Sequence, residues 1–524
     1  MKSERRFRPV RAIKRIFHSL GLNHYFIQER IARRGNTVAY MFGILFLFLS
    51  LSMLAPLAVA YSYGDDLRPW IYPILLTVAL GIPLILRFQP SPTTRSTEAL
   101  FVVTNAWLMA MVFGAIPYVM YGMGAVDAMF ETMSGFTTTG STIMLDIESW
   151  PKSLLFWRSL TQWLGGAGII LVFITIFPML GVAGRSLARK EFAGMDVQHF
   201  TRRIQEESMK FHYIFIGLSV IQLLLLLLTG IGLYDSFTVM FSTMSTGGFS
   251  PHTESIAFFD NFAVEWIVIV FMFLAGVNFY LHFQALSRDR KAYWRNAEFR
   301  TYVIILLLAS LAGVFLLWGN PYTDALEVIT DSTFHMISLM TSTGFSTTDF
   351  SLWGGAVTFV LFLLIVIGGS SGSTAGGLKV VRIILLKKFI STAIYKTVHP
   401  RAMFSIKLDG RTLTESAFTS VMAVVLCYIA TTVVASSLLI FMGIEPSQAM
   451  TAAISSVSNA GPALGDLGPL GTYGGMPDLA KIVLIFAMWA GRLEFLTVFA
   501  LLTPVFWREL LRYRRGEVRL HHQK

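Results

Sequence analysis

Four glycines that follow small residues could supply oxygen ligands to a cation. They are Gly140, Gly248, Gly344 and Gly461, and they recur at intervals of roughly one hundred residues. A cation that loses its water needs oxygen atoms in exchange, and backbone carbonyls are a common source in ion filters. Glycine permits the unusual backbone angles that turn carbonyls toward an ion. The repetition therefore predicts four similar loops around one cation pathway.

Each predicted loop consists of a glycine and the two residues before it. The candidate ion-binding residues are Thr138, Thr139, Gly140, Thr246, Gly247, Gly248, Ser342, Thr343, Gly344, Asn459, Ala460 and Gly461. The fourth loop departs from the threonine-rich pattern, so selectivity could be looser than in a tetrameric channel. The alternative is a set of ordinary outer loops with turn glycines, which four copies in phase disfavour.

A helix must position each loop. An apolar segment of helical length precedes every glycine, and Asp127, Asp235, Asp331 or Gln448 lies thirteen residues before it. We expect the three aspartates to be N-caps, because their carboxylates can accept hydrogen bonds from the first free amides. The C-terminal end of such a helix carries about half a negative charge and would point at the ion. These segments are too short to cross a bilayer, so they are predicted to be re-entrant.

The composition places these elements in a membrane. Of 524 residues, 54% are hydrophobic and only 14% are charged, whereas a soluble domain has about 25% charged residues. Ten stretches reach the length of about 20 apolar residues that a membrane-spanning helix needs. They are 38–62, 70–88, 99–121, 153–181, 211–233, 263–286, 301–319, 356–386, 416–443 and 480–507.

The predicted fold class is an all-α membrane protein with ten transmembrane helices and four re-entrant pore loops. Two leading helices precede four copies of a helix, pore loop and helix repeat around one central pore. The predicted units are a basic tail at 1–36, the leading helices at 37–95, and repeats at 96–200, 201–297, 298–405 and 406–524. The single cysteine, Cys427, excludes an intramolecular disulfide.

The distribution of Lys and Arg predicts the orientation. These residues concentrate in the N-terminal tail, after spans four, six and eight, and at the C-terminus, whereas 247–262, 345–355 and 460–480 contain none. Because cytoplasmic segments carry the positive excess, both termini are predicted to be cytoplasmic. The same bias explains the net charge of +11, so no nucleic-acid partner is expected.

A Gly/Ser-rich segment interrupts span eight at 368–379. Such a composition weakens a helix by up to about 1 kcal/mol per glycine relative to alanine, and a pliable segment below the filter could open or block the pathway. Close helix packing through small residues is the alternative. The candidate gate residues here are Gly368, Gly369, Ser370, Ser371, Gly372, Ser373, Thr374, Gly376, Gly377 and Lys379. Lys379 either ends the segment at the cytoplasmic face or projects into the pore.

Arg492, near the middle of span ten, completes the candidate gate. An intramembrane arginine is costly and marks function by default, and a positive charge on the pore wall would repel cations. An internal pair with a carboxylate such as Glu494 is the alternative. We expect Arg158 to anchor structure, and Asn278 and His282 to form hydrogen bonds that support packing.

Several segments resemble the TrkH/KtrB superfamily of potassium transporters, and the two leading helices favour the bacterial TrkH type. The similar segments are TTG at 138–140, STGGFS at 245–250, TSTGFS at 341–346, SNAGP at 458–462, FWRSLTQWLGGAGII at 156–170, GVNFYLHF at 276–283 and GRLEF at 491–495. The glycine retained in every loop favours potassium over sodium.

The resemblance implies K+ uptake by a homodimer in the bacterial inner membrane, each protomer with its own pore. It also implies an intramembrane gating loop at 368–379 and a cytosolic TrkA-type nucleotide-binding partner. No organic cofactor is expected, because Leu378 follows Gly377 where a phosphate-binding loop would need lysine. Channel-like flow and symport with H+ or Na+ both remain open.

Two other functions are compatible with parts of the sequence. The potassium-binding subunit of a P-type ATPase would copurify with its ATPase rather than with a nucleotide-binding ring. An intramembrane serine protease would use the Gly369–Gly372 string, with His282 or His335 as the base. The protease leaves the four loops unexplained, so the chain is not expected to be an enzyme.

Overall fold

The computed structural model describes residues 34–89, 96–180, 197–287, 289–319, 324–399, 407–409, 411–412 and 415–514. The predicted basic tail lies outside these residues except for 34–36. The described part is almost entirely helical, in agreement with the predicted all-α class. Two small strand pairs accompany the helices: β1 (Arg34–Gly35) is parallel to β2 (Phe88–Gln89), and β3 (Lys407–Leu408) is antiparallel to β4 (Arg411–Thr412).

Twenty-one helices follow one another along the described residues. They are α1 (Thr37–Ser52), α2 (Leu54–Tyr63), α3 (Arg68–Arg87), α4 (Ser96–Gly114), α5 (Ile116–Met120), α6 (Ala125–Phe136), α7 (Lys152–Leu180), α8 (Val197–Leu228), α9 (Leu233–Met244), α10 (Phe262–Ala275), α11 (Phe279–Ser287), α12 (Ala292–Arg295), α13 (Ala297–Leu317), α14 (Ala325–Met340), α15 (Gly355–Ile367), α16 (Val380–Val398), α17 (Glu415–Phe441), α18 (Pro446–Ser458), α19 (Asp478–Arg492), α20 (Phe495–Leu501) and α21 (Pro504–Arg514). Short 3-10 turns occupy Ala257–Phe259, Phe350–Leu352 and Gly465–Leu467.

Within the described residues, six helices are long and apolar enough to cross a membrane. They are Thr37–Tyr63, Arg68–Arg87, Thr97–Met120, Phe211–Leu228, Ala297–Leu317 and Phe418–Phe441. Two further pairs qualify only as bent spans: α10 and α11 meet at 94°, and α19 and α20 meet at 117°. The continuous helices predicted at 263–286 and 480–507 are therefore wrong, because each breaks in the middle.

The helix predicted across 356–386 divides into α15 and α16, and the Gly/Ser-rich segment separates them. Gly368 and Lys379 flank this break with φ of 74° and 75°. A residue with positive φ cannot continue a right-handed helix, so α15 ends at Gly368 and α16 starts only after Lys379. The interruption that the composition predicts is present.

Four short helices precede the four glycine loops. α6, α9, α14 and α18 contain 12, 12, 16 and 13 residues, which at 1.5 Å per residue gives lengths of about 18 to 24 Å. They are shorter than the hydrocarbon core of about 30 Å. Two other helices closely approach the C-terminal ends of α6 and α18: a Cβ added at Gly165 of α7 would collide with Phe136 O, and one at Gly491 of α19 with Val457 O.

The predicted N-caps are wrong. Gly124 and Gly232 occupy the N-cap positions of α6 and α9, and their aspartates lie in the first turn. Asp324 caps α14 by accepting a hydrogen bond from Leu326 N at 3.2 Å, so Asp331 lies inside that helix. The residues before each aspartate are compatible with helical structure, and α14 in particular begins well before Asp331.

The same three aspartates contact residues outside their own helices instead. Asp127 pairs with the buried Lys481 of α19 at 2.5 Å. Asp235 contacts His252 Nε2 at 3.1 Å, and Asp331 accepts a hydrogen bond from Thr347 Oγ1 at 2.7 Å. Because Asp127 and Lys481 lie 354 residues apart in sequence, their ion pair joins distant parts of the chain.

Candidate ion pathway and gate

The four glycine loops share one backbone conformation. Two residues before the glycine, the first loop residue has a positive φ in every copy: 53° at Thr138, 54° at Thr246, 56° at Ser342 and 54° at Asn459. The glycines Gly140, Gly248, Gly344 and Gly461 have φ of 87°, 78°, 82° and 95°. Alternation of positive and negative φ directs successive carbonyls toward one side of a loop. Because non-glycine residues rarely adopt positive φ, four matching copies indicate that one backbone geometry is repeated in the four loops.

The loops meet in a closed ring. Each glycine lies against the carbonyl oxygen of the residue before the next glycine, so that a Cβ would come within 3.0 Å of that oxygen. The pairs are Gly140 with Gly247, Gly248 with Thr343, Gly344 with Ala460, and Gly461 with Thr139. The structure thus brings all twelve predicted ion-binding residues together.

Side chains from the surroundings brace this ring. Gln162 of α7 donates from Nε2 to Gly247 O at 2.6 Å and accepts from Phe249 N at 3.0 Å. Asn459 donates from Nδ2 to Thr139 Oγ1 at 3.0 Å, which links the fourth loop to the first. Sequence reasoning missed Gln162, although an amide side chain within an apolar segment was the available signal. The structure buries this side chain completely.

A buried ion pair supports the segments that follow the first two loops. Arg158 Nε lies 2.5 Å from Glu131 Oε1, and both side chains are at most 2% exposed. Arg158 also donates to Ser250 O at 2.7 Å, and Glu131 accepts from Ile143 N at 2.9 Å. Arg158 is therefore a structural anchor as expected, whereas its partner Glu131 was not anticipated.

The Gly/Ser-rich segment lies against the ring, at the end where the short helices finish. Gly376 N donates to Ser342 Oγ at 2.6 Å, and Gly377 N donates to Ser458 O at 3.0 Å. Thr374 Oγ1 donates to Met244 O at 3.2 Å. The segment therefore directly contacts the third loop and the C-terminal ends of the short helices that precede the second and fourth loops.

The same segment fills the break between α10 and α11. Ser370 N donates to Gly276 O at 2.9 Å, and Phe279 N donates to Gly372 O at 3.1 Å. A helix break frees backbone groups that must find partners inside a membrane. The segment supplies such partners at the break between α10 and α11.

Arg492 holds the segment from the opposite side. Its Nη1 donates to Thr374 O at 2.8 Å, whereas its buried Nε and Nη2 have no hydrogen-bond partner among the described residues. The alternative pairing with Glu494 is wrong, because Glu494 accepts two hydrogen bonds of 2.6 Å from Arg382 Nη2. Arg492 ends α19, and the bend places Glu494 toward α16 instead.

A cavity of about 20 Å³ lies between the segment and Arg492, which is room for roughly one water molecule. Lys379, Arg382, Asn459 and Glu494 are among its lining residues. Lys379 is buried, lines this cavity and directly precedes α16. Three cationic side chains, Lys379, Arg382 and Arg492, and the carboxylate of Glu494 therefore line the space next to the fourth loop.

The two candidate histidines already have partners. His282 contacts Tyr293 OH at 2.7 Å and Leu274 O at 2.9 Å. His335 contacts Asp331 O at 2.8 Å, and its Nε2 accepts from Thr347 N at 3.4 Å. A serine nucleophile needs a base within hydrogen-bond reach, and both ring nitrogens of each histidine are used elsewhere.

Comparisons with known proteins identify the family of the chain. The family model of TrkH, described as a cation transport protein, matches residues 73–505. The chain belongs to the TrkH family. The resemblance inferred from the loop motifs is thereby confirmed, and the chain is a membrane transport protein rather than an enzyme.

This TrkH-family chain aligns with nearly the whole length of its relatives. The Trk system potassium uptake protein TrkH of Vibrio parahaemolyticus is 34% identical over 476 residues, which is 89% of this chain and 98% of the relative. The protein of the same name from Escherichia coli K12 is 34% identical over 475 residues, with the same coverage. The crystal structure of the potassium transporter TrkH from Vibrio parahaemolyticus superposes with a TM-score of 0.82 at 32% identity and covers 90% of this chain and 99% of that one.

Proposed function

We propose that this chain is the potassium-translocating membrane subunit of a Trk uptake system. The observation that carries the proposal is the closed ring of four loops with one backbone conformation. Rings of backbone carbonyls replace the hydration shell of K+ in selective pores. Its relatives are Trk system potassium uptake proteins, which makes K+ the expected cargo.

The ion-binding oxygens come from the twelve loop residues named above. Thr138 Oγ1 in addition is buried and has no hydrogen-bond partner among the described residues. A buried hydroxyl without a partner is costly, so its oxygen is available to an ion or to ion-bound water at the first loop.

In the bilayer the chain crosses ten times, with the four short helices re-entrant. Spans six, eight and ten cross as broken helices, whose free backbone groups bind within the protein. The distribution of Lys and Arg supports cytoplasmic termini in a bacterial inner membrane. The chain functions as a homodimer, and a cytosolic TrkA-type nucleotide-binding protein regulates it.

The test is rubidium uptake by the purified chain in liposomes, with K+, Na+ and Li+ as competitors. Uptake that K+ blocks and Na+ spares is the expected result. If the pore is closed at rest, adding the nucleotide-binding partner will start the flux. Equal competition by Na+ and K+ would contradict the filter.

The intramembrane segment is the gate of this pathway. Deleting 369–377 removes the contacts to Ser342 and Ser458 and is expected to raise the rubidium flux. Arg492→Ala removes one bond to Thr374 O and is expected to raise it less. A hydrogen bond from a charged group contributes about 1.5 to 3 kcal/mol, and 1.4 kcal/mol corresponds to about a tenfold change in an equilibrium.

Arg492→Lys is the matched control, because it keeps the charge but loses the guanidinium geometry. If the charge itself closes the pathway, the Lys variant will conduct like the unchanged chain. If the bond to Thr374 O matters, it will conduct like Arg492→Ala. If both the deletion and Arg492→Ala lowered the flux in folded protein, the segment would not be the gate.

A further inference from the structure

One carboxylate holds both ends of the Gly/Ser-rich segment. Glu298 Oε1 accepts hydrogen bonds from Ser371 N at 2.6 Å and from Val381 N at 3.2 Å. Glu298 is only 8% exposed. The two amides lie ten residues apart in sequence and flank the part of the segment that contacts the ring. Releasing this carboxylate would free both flanks at once.

The start of α16 favours a carboxylate at this position. Val381 is the second residue of α16, and the first four amides of a helix have no partner within it. Negative charge near a helix N-terminus is stabilised by the helix dipole. Hydrogen bonds to an ionised acceptor are also about twice as strong as neutral ones. Glu298 is thus suited to fix the segment rather than merely to contact it.

A hairpin outside the helical bundle reaches the residue next to Glu298. Asp409, at the turn between β3 and β4, accepts a hydrogen bond from Ala297 N at 3.0 Å. In the same hairpin Lys407 O accepts a hydrogen bond from Lys388 Nζ of α16. The hairpin therefore contacts both helices that Glu298 connects, α13 and α16.

We propose that Glu298 is a positioning residue that holds the intramembrane segment against the filter ring, and that Asp409 couples the β3–β4 hairpin to it. This inference rests on the proposed function of the segment as a gate. A movement of the hairpin changes the start of α13, shifts the Glu298 carboxylate and loosens both flanks of the segment. The charge-based orientation places this hairpin on the cytoplasmic side.

The test uses the full chain in liposomes without a partner protein. Glu298→Ala is expected to raise the rubidium flux several-fold without changing the order of ion competition. Glu298→Gln keeps an acceptor without the charge and is expected to be intermediate. Glu327→Ala is the matched control, because Glu327 is an exposed first-turn glutamate of α14 and is expected to leave the flux unchanged.

Hydrogen exchange reports positioning independently of transport. In Glu298→Ala the amides of Ser371 and Val381 are expected to exchange faster than in the unchanged chain. The amides of the four short helices before the loops are expected to exchange at the unchanged rate. This inference would be overturned, and the gate would stand, if both Glu298 variants left exchange and flux unchanged while the deletion of 369–377 still raised the flux. No effect of the deletion would overturn the gate itself.

The hairpin has its own test. Asp409→Ala is expected to raise flux less than Glu298→Ala, and the double variant is expected to match Glu298→Ala, because both act through one residue. Independent, multiplying effects in the double variant would overturn the coupling of the hairpin to Glu298.

Discussion

Replacing Gly248 with serine is expected to abolish the preference for K+ over Na+. Gly248 has φ of 78°, where an L-residue is strained by roughly 1 to 2 kcal/mol. A Cβ there would collide with Thr343 O of the neighbouring loop. Because that oxygen belongs to the backbone, relief requires one loop to move and the ring to open. Rubidium uptake with Na+ as competitor measures the effect.

Gly475→Ser is the matched control, because a Cβ at Gly475 meets nothing within 4 Å. Serine at Gly140 or Gly344 is expected to act in the same direction as at Gly248. The effect at Gly461 is expected to be the mildest, because its Cβ would lie 2.8 Å from Thr139 O, the loosest contact of the four. Unchanged ion preference in all four variants at normal expression would show that these loops are not the filter.

Replacing Arg158 with alanine is expected to lower the free energy of unfolding by about 3 to 5 kcal/mol, the usual cost of removing one partner of a buried ion pair. Glu131 would remain buried and lose its charged partner, although Thr142 and Ile143 still donate to it. Thermal unfolding in detergent and the yield of monodisperse protein measure the loss.

Two further variants make this result specific. Arg295→Ala breaks an exposed pair with Asp289 and is expected to cost about 0 to 1 kcal/mol. Combining Arg158→Met with Glu131→Gln removes both charges and is expected to recover part of the stability. If the Arg158→Ala variant were as stable as the Arg295→Ala variant, the buried pair would contribute nothing to stability.

The sequence by itself determined the features that depend on residue type and local pattern. Apolar run length and low charge predicted a helical membrane protein, and the family followed from the loop motifs. Glycine at 140, 248, 344 and 461 predicted special backbone angles, and all four glycines have positive φ. The Gly/Ser density at 368–379 predicted a break in span eight. Each of these follows from conformational preferences within a few residues.

Tertiary structure decided which distant groups meet. The break in span six is stabilised by Ser370, almost one hundred residues away, so local pattern favoured an unbroken helix there. Glu494 lies two residues from Arg492, yet the bend after α19 directs it to Arg382. Glu298 lies just before the predicted span at 301–319, and only the fold brings two amides of the segment to it. A buried charge binds the donors that the fold places nearest, and sequence distance does not set that choice.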